Sequence, residues 1–132
     1  MNQGEGRRGL MGGPMSQAEV VIFHNPACGT SRNVLAALRE AGREPKVVEY
    51  LKAGWKADQL ADLFARMGAK PGDLLRVRGT PAEELGLTRP GVGDAEILEA
   101  MVRHPILVER PIVVTPKGVA LCRPAERVQP LL

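Results

Sequence analysis

The segment Asn25-Pro26-Ala27-Cys28-Gly29-Thr30-Ser31 places a single thiol among loop formers and hydroxyl donors. Cys28 comes just after a β-rich run and just before a helical pattern. Unpaired backbone N–H groups and roughly half a positive charge converge at such a point. A free thiol with a pKa of ~8.5 is only slightly ionised at neutral pH, whereas a helix N-terminus and nearby cations can bring it below ~7. The placement therefore predicts a nucleophilic thiolate, against the small buried hydrophobe that a free cysteine often is. Gly29 permits close backbone approach, and Thr30 and Ser31 add hydroxyl groups.

Cys28 and Ser31 have the spacing of a Cys-x-x-Cys redox motif whose second thiol is a serine, so no local disulfide can form. A tyrosine-phosphatase loop needs arginine at the sixth position after its cysteine, where this chain has Val34. If Cys28 attacks an oxyanion, arginines remote in sequence must offset a repulsion of several kcal/mol between thiolate and dianion in a partly buried site. Arg76, Arg110 and Arg123 all stand at predicted element ends. Arg32, Arg66, Arg78 and Arg103 are equally plausible on local grounds, and a solvated surface charge is the ordinary role of any one of them. Local chemistry does not choose among the seven. His24 stands at the strand end before the loop, where it either bonds the loop and tunes the thiolate or serves as a satisfied structural histidine. Cys122 could act as a resolving thiol, but its strand-end position better fits a buried structural residue. The two histidines and two cysteines lack clustered metal-ligand spacing, so no metal is expected.

The elements that must position these residues are legible from periodicity. Val20 to Phe23 reads as a buried strand ending at Asn25-Pro26. Val34, Leu35, Leu38 and Ala41 recur at helical spacing after Gly29, with Thr30 or Ser31 as N-cap and Gly42 past the end. Lys46 to Tyr50 reads as a second strand, making a right-handed parallel βαβ unit. Leu60, Leu63, Phe64 and Met67 line a helix closed by Gly68, and Asp94 can cap a helix carrying Ile97, Leu98 and Met101. Ile112–Val114 and Val119–Leu121 flank Thr115-Pro116-Lys117-Gly118 and should pair antiparallel. The expected fold is α/β: a mixed four-stranded sheet with flanking helices and a mostly helical insert.

A length of 132 residues supports one core. Residues 1–17, with Arg7 and Arg8 followed by Gly12, Gly13 and Pro14 instead of an apolar segment, read as a disordered leader rather than an export signal. Residues 18–132 form the expected single domain. No apolar run approaches the ~20 residues of a membrane span. A net charge of +3 spread along the chain and only four aromatics argue against a nucleic-acid partner. Two distant cysteines without a secretory signal fit a reducing, cytoplasmic setting.

At His24–Asn33 (HNPACGTSRN) the sequence resembles the arsenate reductases that work with glutathione and glutaredoxin, a branch of the thioredoxin-like fold. The likeness extends through Leu74–Arg76, His104–Val114 and Leu121–Pro124, and so covers nearly everything from Val20 to Glu126. It implies that Cys28 is the nucleophile, that Arg76, Arg110 and Arg123 bind the oxyanion, and that Pro111 is the cis-proline flooring the thiol site. His24 matches a histidine held near the nucleophile, with Ser31 in a supporting role. Relatives often continue into a helical tail beyond the position of Leu132 and lack the leader.

The resemblance implies arsenate as substrate, attacked by the Cys28 thiolate to give a thiol–arsenate adduct. It also implies glutathione as co-substrate, glutaredoxin as partner and no bound cofactor, because Ser31 removes the resolving thiol and electrons must come from outside. Two other readings remain. One is a thiol reductase of the same fold with another substrate. The other is a non-enzymatic regulator resembling the Spx proteins that bind RNA polymerase, against which Ser31 argues.

Overall fold

Successive side chains of a strand point to opposite faces, so a run of consecutive apolar residues must be covered on both sides. In the computed structural model, which describes residues 19–132, strand β1 (Val21–His24) is buried along its whole length. Val21 and Phe23 join one apolar cluster with Ile112 and Val114, while Val20 and Ile22 join a second with Val113. The sheet runs β2-β1-β3-β4, where β2 is Lys46–Glu49, β3 is Ile112–Thr115 and β4 is Gly118–Leu121. β1 pairs parallel with β2 and antiparallel with β3, and β3 pairs antiparallel with β4. This is the expected mixed, thioredoxin-like sheet. The leader expected over residues 1–17 lies outside the described residues.

Helix α1 (Gly29–Glu40) covers one face through Val34 and Leu38, joined by Val128 and Leu131 of a C-terminal 3₁₀ segment, Ala125–Leu131. The other face is covered by α3 (Ala57–Met67) and α4 (Asp94–Arg103), through Leu60, Leu63, Phe64, Ile97 and Met101. Each such side chain contributes roughly 1.5–3 kcal/mol on burial, enough to hold short helices that would not form alone. Gly42 and Gly68, at φ of 81° and 68°, take the left-handed conformation that ends α1 and α3.

Three expectations are corrected. Tyr50 does not extend β2 but opens a one-turn helix, α2 (Tyr50–Ala53), because its ring turns inward onto Trp55. The N-cap of α1 is Cys28, not Thr30 or Ser31; the Ser31 hydroxyl is engaged elsewhere. Gly93 precedes α4 and Asp94 is its first residue, where its charge still favours the helix dipole.

The insert between α3 and α4 is tied back to the sheet. Leu75 bridges Val108 antiparallel, the Arg76 N–H donates to the Leu107 carbonyl at 2.7 Å, and the Glu109 N–H donates to the Leu74 carbonyl at 2.8 Å. Arg76 and Arg110 are thereby carried on two adjacent segments. The Arg110–Pro111 peptide bond is cis, as the resemblance implies, and so is Arg123–Pro124.

Candidate active site

The loop between β1 and α1 is shaped by its own side chains. Asn25 Oδ1 accepts the Ala27 N–H at 3.0 Å, the Cys28 N–H donates to the Asn25 carbonyl at 3.0 Å, and Arg32 Nη1 donates to the Pro26 carbonyl at 2.8 Å. Ser31 is fully buried, and its Oγ accepts the Asn25 N–H at 3.1 Å and lies 2.6 Å from His24 Nδ1. Burial lowers the His24 pKa, with Arg32 and Arg39 acting in the same sense and Glu49 opposing. One hydrogen bond joins His24 Nδ1 to the Ser31 hydroxyl, so the two side chains brace the loop from beneath.

Cys28, at the N-cap of α1, is half-buried. Burial alone would raise its pKa. The Ser31 backbone N–H and the guanidiniums of Arg110 and Arg123 outweigh that effect and bring it down from 9.0 to about 7. Arg123 Nη1 donates to the Cys28 sulfur at 3.5 Å and to the Arg110 carbonyl at 3.3 Å. Arg110 faces the same sulfur, while its Nε and Nη1 are buried with no hydrogen-bond partner among the described residues. Unpaired guanidinium donors beside a thiolate are arranged to receive the oxygens of an incoming anion.

Of the residues expected at the site, Cys28, Arg110, Arg123, His24, Ser31 and Pro111 converge at the C-terminal edge of β1. Arg76 stands beside them, but its Nη1 donates to Glu109 Oε1 at 3.0 Å in a half-buried ion pair. The open alternatives fall away for physical reasons. Arg66 and Arg103 pair with Asp62 and Glu99 on exposed helix faces, Arg32 supports the loop from outside, and Arg78 is exposed in a turn. Cys122 is fully buried, its thiol pushed up to about 11 by that burial. Among the described residues no cluster of His, Cys, Asp or Glu could hold a metal ion.

Two neighbours of the site were not expected. Glu109 adjoins Arg110 in sequence, but only the Leu75–Val108 bridge makes it the partner of Arg76. Tyr50 read as the end of a strand, yet its hydroxyl is buried with no acceptor among the described residues, beside the Asn25 side chain and in reach of the Arg110, Cys28 and Arg76 charges.

Known proteins resemble this chain in sequence and fold. The chain is 55% identical to the arsenate reductase ArsI1 of Synechocystis sp., over 89% of this chain and 82% of that one. It is 47% identical to the arsenate reductase of Escherichia coli, over 87% and 82%. The structure of an arsenate reductase from Vibrio cholerae superposes with a TM-score of 0.82 at 35% identity, covering 89% of this chain and all of that one. The ArsC family model matches residues 23–131, from the last turn of β1 to the end of the C-terminal 3₁₀ segment, and so takes in the thiol loop and every arginine that surrounds it. With that span and those identities, this chain belongs to the ArsC family.

Proposed function

We propose that this protein is an arsenate reductase that uses Cys28 as nucleophile and glutathione with glutaredoxin as its source of electrons. The observation that carries the reading is the 3.5 Å contact of Arg123 with a sulfur that Arg110 also faces, which pairs an ionisable thiol with unfilled anion donors. The arsenate reductases to which the chain is 47–57% identical support the choice of substrate.

In this reading arsenate, carrying about two negative charges near neutral pH as phosphate does, is held by Arg110 and Arg123, and Arg76 turns from Glu109 to join them. Their charge offsets the repulsion between dianion and thiolate. The Cys28 sulfur forms a bond to arsenic and one arsenate oxygen leaves as water after taking up protons. Glutathione then attacks the Cys28 sulfur. A sulfur–sulfur bond forms, the electron pair of the sulfur–arsenic bond stays on arsenic, and trivalent arsenite departs. The two sulfurs have been oxidised and arsenic reduced by two electrons. A glutaredoxin thiol removes the glutathione from Cys28 by disulfide exchange. Ser31, occupied with His24 and Asn25, offers no competing thiol. Such a donor pair places the reaction in the reducing cytoplasm.

The test is arsenite formation by the purified chain with arsenate, glutathione and glutaredoxin. Turnover requiring both thiol components is expected. Absence of arsenite under those conditions would overturn the assignment.

A further inference from the structure

Tyr50 is the one tyrosine of the chain and Trp55 the one tryptophan. The Tyr50 ring is 1% exposed and stacks on Trp55 with centroids 5.3 Å apart, and Phe23 closes on Trp55 at 5.0 Å. The ring is thus fixed in the core at the end of β2. Its proton is not accounted for: Oη is buried and finds no acceptor among the described residues. A buried polar group left unpaired costs about 1–3 kcal/mol, and interiors rarely retain one without a reason.

The position of that hydroxyl supplies the reason. The register pairs His24 with Glu49, so Tyr50, the first residue after β2, lies close to Asn25, the first residue of the Cys28 loop. The Asn25 side chain acts on the phenol as a donor, in the sense that lowers its pKa, while its Oδ1 is turned to the Ala27 N–H, so Asn25 does not take the phenol's proton. The charged groups that act on the phenol are Arg110, Cys28 and Arg76. Arg110 holds two other unpartnered buried donors, Nε and Nη1. The remaining such atom, Trp55 Nε1, belongs to the ring stacked on Tyr50. A phenol proton without an acceptor and a guanidinium with two unpaired donors therefore share the neighbourhood of one thiol.

We infer that the Tyr50 hydroxyl donates a hydrogen bond to an oxygen of the bound oxyanion, next to those gripped by Arg110, and is a substrate-binding residue of this site. The inference rests on the arsenate-reducing reading and adds a neutral, directional donor to its cations. Burial raises the phenol pKa, with the Arg110 charge and the Asn25 side chain opposing, so the hydroxyl stays protonated and donates. The rigid stack on Trp55 fixes the direction in which it does so.

Tyr50→Phe removes the oxygen and keeps the ring. In the full chain without glutathione, arsenate binding measured by calorimetry is expected to weaken on the order of tenfold, equivalent to ~1.4 kcal/mol. In turnover KM should rise by a similar factor with kcat changed by less than about twofold, because the bond is made to ground state and transition state alike. An unchanged dissociation constant would overturn the inference.

A second measurement does not depend on that variant. Biosynthetic 3-fluorotyrosine labels position 50 alone and acidifies the phenol. In a Cys28→Ser background, which removes the thiol's own titration, its fluorine resonance should move when arsenate is added, and arsenate affinity should fall as the phenol ionises. A resonance insensitive to arsenate, or a pH profile equal to that of Tyr50→Phe, would also overturn the inference. Inorganic phosphate, of the same shape and charge, separates the two claims. Phosphate binding that requires the Tyr50 hydroxyl, without arsenate turnover by the native chain, would sink the reductase reading and leave the hydroxyl's role standing.

Discussion

The guanidinium of Arg123 stands 3.5 Å from the sulfur of Cys28, across 95 positions of sequence. The hairpin β3–β4 returns the chain to the edge where β1 ends, so the first and last parts of the fold meet at one thiol. With the Ser31 backbone N–H and Arg110, that meeting brings the ionisation of the thiol down to about 7, and several outcomes follow from it.

Ionisation of Cys28, followed by thiolate absorbance or alkylation rate, should have its midpoint at about 7. The folded value lies below the reference of 9.0. The stability that the thiolate contributes is therefore fully present above 9.0 and is lost as pH falls through about 7. Arg123→Ala should move the midpoint toward 9.0. An unmoved midpoint would mean that the contact does not set the charge of the sulfur.

Cys28→Ser should abolish arsenite formation and leave the unfolding free energy at neutral pH within about 0.5 kcal/mol of the native chain, as expected for a half-buried residue outside both apolar clusters. Serine does not ionise in the same range. Comparable turnover in the variant would remove Cys28 from the reaction.

Arg110→Lys keeps the charge and loses the planar fork. Since Nε and Nη1 are the donors left unpaired, anion binding should weaken by about tenfold or more. Calorimetry with arsenate, in the absence of thiols, reads this directly, and equal affinity would take Arg110 out of the binding set.

Ser31→Ala deprives the buried Asn25 N–H and His24 Nδ1 of their shared partner. Leaving them unpaired should cost about 1–3 kcal/mol in urea unfolding. A stability equal to that of the native chain would show that the brace contributes nothing net.

Cys122→Ser should retain most activity, because a fully buried thiol with its pKa pushed up to about 11 is a poor nucleophile. A loss of about 1–2 kcal/mol is expected from placing a hydroxyl among Ile22, Val34 and Val113. Lost turnover with intact folding would instead promote Cys122 to a resolving thiol.

Local patterns alone determined the strands, the three longer helices and the place of Cys28 at a strand-to-helix junction, because apolar periodicity and glycine stops act over a few residues. The identity of the arginines did not emerge from composition or spacing. Arg110 and Arg123 resembled Arg66 and Arg103 until the hairpin brought one pair to the thiol and the helices turned the other pair outward. Only tertiary structure decided that Arg76 rests on Glu109 and that the Tyr50 hydroxyl lies buried with no acceptor. Periodicity records which face of an element avoids water; it does not record which distant segment supplies the charge across the gap, since that depends on how the sheet orders its strands.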